Sequence, residues 1–254
     1  MTSAAAVIRS AANPQFKALR QLAQDSTAWR KQARMWIEGD HLCRAALARG
    51  VQPLLAVQAE SCPASQVLPA PQVLVLADPL FRELSGLESA ARMGFVIPVP
   101  APAEVEPLAA TVVLDRLQDA GNVGSILRSA AAFGFRQVIA LKGTAALWSP
   151  KVVRAGMGAH FGLRLFDAAE PVLLDGLSVP LLATSSHGGE LLHRAPLPWP
   201  CGWILGHEGQ GVSAEIADRA TLLVRIAQPG GEESLNVAAA AAICLHASAA
   251  SAPG

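Results

Sequence analysis

The chain has 254 residues, is 52% apolar and carries 20 basic against 20 acidic side chains, so its formal net charge is zero. That length suits one large domain or two modest ones with real cores, and the charge balance excludes a uniformly basic nucleic-acid coat. The mean hydropathy of +0.34 reflects alanine: the apolar run Val237–Leu245 in the last helix has nine residues where a membrane span needs about 20, so a soluble protein is expected.

Met1–Val7 holds no charge and Arg9 follows it, which is not the basic-then-apolar order of a secretory leader. Up to Trp36 the cations Arg9, Lys17, Arg20, Arg30, Lys31 and Arg34 face a single anion, Asp25. A local patch of this kind attracts phosphate even in a neutral chain; a solvated helical face gives the same pattern. Helical stretches at Phe16–Ala23, Asp40–Arg49 and Pro79–Ser89 alternate with short apolar strands at Leu54–Val57 and Val73–Leu76, predicting a small α/β domain over residues 1–97. Four prolines between Pro98 and Pro107 stop both helix and central strand, so residues 98–107 are expected to be an extended linker. Cys43, Cys62, Cys201 and Cys244 lie far apart without a C-x-x-C pair, which fits a reducing cytosol rather than a disulfide framework or zinc ribbon.

Residues 108–254 form the second domain. Strands are predicted at Thr111–Leu114, Gln137–Leu141, Leu163–Phe166, Pro180–Thr184, Trp203–Leu205 and Leu222–Ile226. Helices are predicted at Val123–Phe133, Pro150–Gly156, Ala168–Asp175, Ser213–Arg219 and Leu235–Ala247. Short apolar strands alternating with helices imply a largely parallel sheet covered on both faces.

Three segments of this domain carry chemistry. In Asn122-Val123-Gly124-Ser125-Ile126-Leu127-Arg128, Val123, Ile126, Leu127, Ala130 and Ala131 recur with the spacing of a buried helical stripe. Gly124 and Arg128, four apart on another face, set a guanidinium above a residue with no side chain, where a phosphate or ribose has room to approach. Asn122 falls at a natural N-cap position. The second segment, Leu205-Gly206-His207-Glu208-Gly209-Gln210-Gly211, follows a strand with G-x-x-G-x-G spacing, the reverse of the dinucleotide fingerprint. Its glycines allow close backbone approach, and Glu208 adds a carboxylate that also suits a helix start near Ser213. The third runs from Ile226 through Pro229-Gly230-Gly231 into Ser234-Leu235-Asn236-Val237, a turn whose free main-chain groups beside a helix start can hold a small polar ligand. The six histidines show no metal-protease spacing, and no G-x-S-x-G elbow is present, so neither metal nor serine-hydrolase chemistry is expected.

Taken in this order, the three segments resemble the SpoU (TrmH) family of RNA ribose 2′-O-methyltransferases, part of the SPOUT superfamily. Asn122, Gly124 and Arg128 match its first motif, Leu205–Gly211 its second and Ser234–Val237 its third. The segment Trp36-Ile37-Glu38-Gly39-Asp40-His41-Leu42 is similar to the Glu-Gly-x-x-Leu start of the L30e-like RNA-binding domain that precedes many members of the family. The resemblance implies an α/β fold with a mostly parallel SPOUT-type sheet and a carboxyl-terminal trefoil knot, preceded by that small L30e-like domain. Chain-topology rules alone would not suggest the knot.

The resemblance further implies methyl transfer from S-adenosylmethionine to a ribose 2′-hydroxyl, most simply in 23S ribosomal RNA. The same reaction on transfer RNA, or a non-catalytic RNA-binding assembly factor on this fold, stays open. Asn122, Arg128, Glu208, Ser234 and Asn236 are the implied catalytic residues, and Thr184, Gly206, Ile226 and Leu235 the implied cofactor contacts. Lys17, Arg30, Lys31 and Arg34 are the implied RNA contacts. The family's base is proposed at the position of Arg128; because a guanidinium is hard to deprotonate, clamping a phosphate and stabilising alkoxide is the more conservative role. Ala227 and Gln228 depart from the Pro and Met common in the third motif. A cytoplasmic homodimer is expected from the same resemblance.

Overall fold

The computed structural model describes residues 6–86, 91–101, 104–186, 188–230 and 234–251. The chain divides into two compact units, one formed by residues 1–101 and 148–161 and the other by residues 102–147 and 162–254. Pro102 and Ala103 of the proline-rich segment lie outside the described residues.

In chain order the first unit contains β1 (Val7–Ile8), α1 (Pro14–Gln24), α2 (Ala28–Gln32), β2 (Arg34–Glu38), α3 (Asp40–Ala48), β3 (Leu55–Ala59), β4 (Val73–Leu76), α4 (Asp78–Leu84) and β5 (Met93–Pro98). Helix α1 begins where Asn13 Oδ1 accepts from the N–H groups of Gln15 and Phe16 at 2.8 and 3.4 Å. Pro14 then supplies a preset φ where no donor is needed. Phe16, Leu19 and Leu22 face inward from α1 and join Trp36, Val57, Leu76, Phe81 and Val96 in one core. The strands form a sheet ordered β1-β4-β3-β5-β2, parallel except where β5 runs against β2 and β3. Strands β1, β2 and β5 carried no expectation from sequence. The helix expected over Pro79–Ser89 is observed as Asp78–Leu84, and Leu87–Ser89 lie outside the described residues.

The second unit holds β6 (Thr111–Asp115), α5 (Ala120–Ala132) and β7 (Gln137–Leu141). Next, α6 (Pro150–Gly156) belongs to the stretch that clusters with the first unit. The chain returns through β8 (Arg164–Ala169), β9 (Leu181–Thr184), β10 (Glu190–Leu191), β11 (Gly202–Gly206), α7 (Ala214–Ala217), β12 (Leu222–Arg225) and α8 (Val237–Ala250). All seven strands are parallel, in the order β10-β12-β9-β11-β6-β7-β8. Every residue of β6, β7 and β11 is buried, as parallel strands covered on both faces must be. The mostly parallel α/β architecture expected from sequence is the one observed.

The helix expected at Ala168–Asp175 is a correction. Strand β8 runs on to Ala169 through a register shift against β7, with Ala168 at φ 52°, and Pro171–Gly176 then forms a 3-10 turn. Edge pairing to β7 outcompetes the helical pattern, and Pro171 leaves only a short tight turn.

Trp203, wholly buried on β11, donates its indole N–H to Ser248 Oγ on α8 at 2.9 Å. Ser248→Ala strands that N–H in the core, an expected loss of about 1–3 kcal/mol and of roughly 2–10 °C in thermal midpoint; an unchanged melting curve would show that the indole finds another partner. Cys43, Cys201 and Cys244 are buried and unpaired. Burial pushes their thiols up to about 12, about 11 and about 12 respectively, which makes them poor nucleophiles. Among the described residues no helix is long and apolar enough to cross a membrane.

Candidate active site

Strand β6 ends at Asp115, and four residues later Asp119 opens α5. Its Oδ1 accepts the Asn122 N–H at 2.7 Å, so Asp119 is the N-cap. The cap expected at Asn122 is therefore corrected: the helix starts a turn earlier, on a charged acceptor that binds first-turn N–H groups more strongly than an amide. Asn122, relieved of capping, sits within the first turn with its side chain available. Val123, Ile126, Leu127 and Ala130 form the buried stripe as expected, but Ala131 is exposed. Gly124 is buried and Arg128 exposed. Among the described residues Arg128 has no ion-pair or hydrogen-bond partner.

The second segment leaves β11 at Gly206, which is paired in register with Asp115 of β6. The turn folds straight back: a Cβ on Gly206 would lie 2.1 Å from both Gly211 C and Val212 N. Backbone cannot swing aside as a side-chain tip does, so only glycine fits. Gly206→Ala is expected to cost about 1–3 kcal/mol through overpacking, seen as a lower urea midpoint; an unchanged midpoint would show a turn loose enough to move. Gly211, at φ 67°, closes the turn with its N–H on the His207 carbonyl at 2.8 Å. His207 Nδ1 accepts from the N–H groups of Gly209 and Gln210 at 3.0 and 3.3 Å. His207 thus braces the turn.

Glu208 reaches from this turn to the start of α5. Its Oε2 accepts the Gln118 N–H at 3.2 Å, and its Oε1 accepts the Asp119 N–H at 3.1 Å and Asn122 Nδ2 at 3.2 Å. Partial desolvation pushes its pKa up. That is outweighed by hydrogen bonds from its own N–H, the Asn122 side chain, Asp119 and Gln118, and the net shift is downward.

The third segment completes the arrangement. Asn236 caps α8, its Oδ1 accepting the Ala238 and Ala239 N–H groups at 2.9 and 3.2 Å, while its Nδ2 donates to Asn122 Oδ1 at 3.0 Å. A carboxylate can only accept, so Glu208 fixes the amide of Asn122 with nitrogen towards it and oxygen away. That oxygen in turn requires the nitrogen of Asn236, whose own oxygen is claimed by α8. Both amides are locked in one orientation, each with its second amide N–H outside the chain of bonds.

The strand order places β12, β9, β11 and β6 side by side and parallel. Ile226 follows the end of β12, Thr184 ends β9 and Gly206 ends β11, so all three lie along the carboxyl edge of the sheet, where open parallel sheets bind ligands. Thr184 is half-buried and donates to the Ile204 carbonyl at 3.3 Å; Ile226 is half-buried. Ser234 and Leu235 are exposed just before α8, and Gly231–Glu233 lie outside the described residues. Gln228, in the same connection, has a buried Oε1 with no hydrogen-bond partner among the described residues.

Sequence reading passed over Asp115, Arg116, Asp119 and Gln210. Asp119 was findable as an acidic residue three before Asn122; the others reveal themselves only through contacts across the fold. In the first unit Lys17 is exposed on α1, and Arg30 and Lys31 are exposed on α2. Arg34 is half-buried at the start of β2, with its Nε on Gln32 Oε1 at 3.0 Å. The Arg30 guanidinium lies 5.1 Å from the centre of the Trp29 ring. Arg9 and Arg20 are paired with Glu60 and Glu83.

The family model of the SpoU rRNA Methylase family matches residues 109–246. The chain is 30% identical over 217 residues to the 23S rRNA (guanosine(2553)-2′-O)-methyltransferase RlmP of Bacillus subtilis, covering 83% of this chain and 86% of that one. A crystal structure of an RNA 2′-O ribose methyltransferase superposes with a TM-score of 0.81 at 30% identity, over 96% of this chain and 98% of the other. The AdoMet-bound rRNA methyltransferase of Sinorhizobium meliloti does so with a TM-score of 0.84 at 25% identity, over 96% and 97%.

Proposed function

The chain belongs to the SpoU rRNA methylase family, and from that premise we propose that it transfers a methyl group from S-adenosylmethionine to a ribose 2′-hydroxyl of RNA, with 23S ribosomal RNA as substrate. The observation that carries the reading is the chain of hydrogen bonds from Glu208 through Asn122 to Asn236, which joins all three sequence segments at the carboxyl edge of the parallel sheet.

The residues present fit the cofactor. The buried Oε1 of Gln228, without a partner among the described residues, is an acceptor that an amine such as that of adenine satisfies. Thr184, Gly206, Ile226 and Leu235 are the residues that would hold it, by main chain and apolar packing. Once bound it supplies a methyl group already activated on a sulfonium, an electrophile that needs no metal. The protein's part is positioning. Glu208 fixes the amide of Asn122 and the start of α8 fixes that of Asn236, and Ser234 is read as acting with them. Arg128, exposed and without a partner among the described residues, clamps the phosphate next to the target ribose and faces the charge that develops on its oxygen.

Residues 1–97 form the L30e-like substrate-binding domain in this reading, 98–107 the linker and 108–254 the methyltransferase domain with its carboxyl-terminal knot. Lys17, Arg30, Lys31 and Arg34 meet RNA phosphate. The protein works as a cytoplasmic homodimer. Support for pairing comes from α8, where Ala239 and Ile243 lie exposed on a helix of mostly apolar residues. Mapping 2′-O-methyl groups in total RNA with and without the protein tests the reaction. One ribosomal position lost on deletion is expected, a loss confined to transfer RNA would redirect the substrate, and no change would refute the enzyme. Light scattering tests the dimer.

A further inference from the structure

Arg116 is one of four non-glycine residues with positive φ among the described residues, at 62°. It stands between the end of β6 and the first motif. A long side chain enters the left-handed region only at a steric cost, and such residues persist where their surroundings hold them, often at functional sites. Here the holding is specific. The Arg116 N–H donates to Thr144 Oγ1 at 3.1 Å, and that hydroxyl donates to the Leu114 carbonyl at 3.0 Å. Gly143 gives the side chain room, since a Cβ there would lie 3.2 Å from Arg116 Cγ.

The left-handed turn accompanies a guanidinium that spans two parts of the site. Its Nε donates to Asp115 Oδ1 at 3.0 Å and its Nη1 to Gln210 Oε1 at 3.0 Å. Asp115 is 2% exposed, and its Oδ2 accepts the Ser213 N–H at 2.6 Å. The Gly206–Ser213 turn is therefore held at three points: Glu208 by the first motif, Gln210 by Arg116 and Ser213 by Asp115. A glycine would take the same φ at less cost, so the backbone path alone does not call for an arginine.

We infer that Arg116 is a positioning residue for methyl transfer: through Gln210 it fixes the tip of the turn that carries Glu208, and so the orientation of Asn122. The inference rests on the reading of this site as a methyltransferase centre. Arg116 acts through Glu208 and touches no reacting atom, so its removal affects turnover and leaves cofactor affinity alone.

Arg116→Gly separates this role from a merely structural one, because glycine relieves the strained backbone while deleting the tether. The expected result is an unchanged Kd for S-adenosylmethionine by calorimetry and kcat on RNA lower by about 10-fold or more at constant KM, with a lower thermal midpoint because the buried Asp115 loses its cation. Gln210→Ala, an exposed change that removes only the partner, should match it in kcat, and the double variant should be no worse than either single one. Wild-type turnover in both single variants would overturn the inference. So would a parallel fall of midpoint, affinity and kcat, which marks a structural brace. If the unmodified protein neither binds S-adenosylmethionine nor methylates RNA, the functional reading itself falls instead.

Discussion

Replacing Arg128 with alanine is expected to abolish methyl transfer while leaving S-adenosylmethionine binding nearly intact. The side chain is exposed on α5 and has no partner among the described residues, so its loss removes no internal contact and should leave the melting curve unchanged. In the proposed reaction it removes a bidentate cation for phosphate and for the charge that appears only as the ribose oxygen is alkylated. Interactions made in the transition state alone lower kcat and kcat/KM together. Deleting one such donor typically costs on the order of 10²–10³ in rate, about 3–4 kcal/mol. Arg128→Lys keeps the charge but not the planar fork and should recover only part of the activity. Single-turnover methylation beside calorimetry reads both quantities, and full activity in the alanine variant would remove Arg128 from the site.

Glu208→Gln should be nearly as damaging, for a different reason. The carboxylate accepts three N–H groups, two on one oxygen and one on the other. A glutamine can serve one of those positions with its carbonyl but must set its NH₂ against a donor at the other. With its NH₂ on the Oε1 side the glutamine meets Asn122 Nδ2 donor to donor and loses its hold on that amide, while Asn236 stays fixed by the start of α8. A kcat loss of about 100-fold is expected, since small misplacements of positioning groups cost that much. The melting temperature should fall only slightly because Glu208 is largely exposed. Unchanged turnover would show that the Asn122 amide is oriented by something else.

The pH dependence has a definite sign. The folded Glu208 carboxyl sits below the ordinary glutamate value because its hydrogen bonds outweigh desolvation. Its contribution is thus complete above the unfolded pKa and is lost as pH falls through the lower folded one. The wild type should hold its site geometry through mildly acid solution, and the acid limb of its activity should lie below the ordinary carboxylate range.

Local pattern carried much of this architecture. Gln137–Leu141 and Pro150–Gly156 are bounded as their residues predict, since an apolar run between breakers and a Pro-led helix have local causes. The three motifs were legible because glycine, asparagine and arginine at fixed spacing reflect chemistry more than packing. Strands β2 and β5 were missed: they are stabilised by antiparallel pairing with residues about sixty positions away in sequence, from Arg34↔Pro98 to Glu38↔Gly94, which no window reads. Helix α6 was visible as a helix, but its clustering with the first unit, with Arg154 against Glu38 at 3.2 Å, was not.

The site divides in the same way. The sequence by itself singled out Asn122, Arg128, Glu208 and Asn236 as candidates, because they sit in short segments whose spacing is local. Only the tertiary structure decided that Glu208 and Asn122 meet across 86 residues, and that Asn122 and Asn236 meet across 114. The reason is physical. A cap or a helical stripe is set by neighbours along the chain, whereas the orientation of an amide depends on acceptors that only the assembled sheet brings within 3 Å or so.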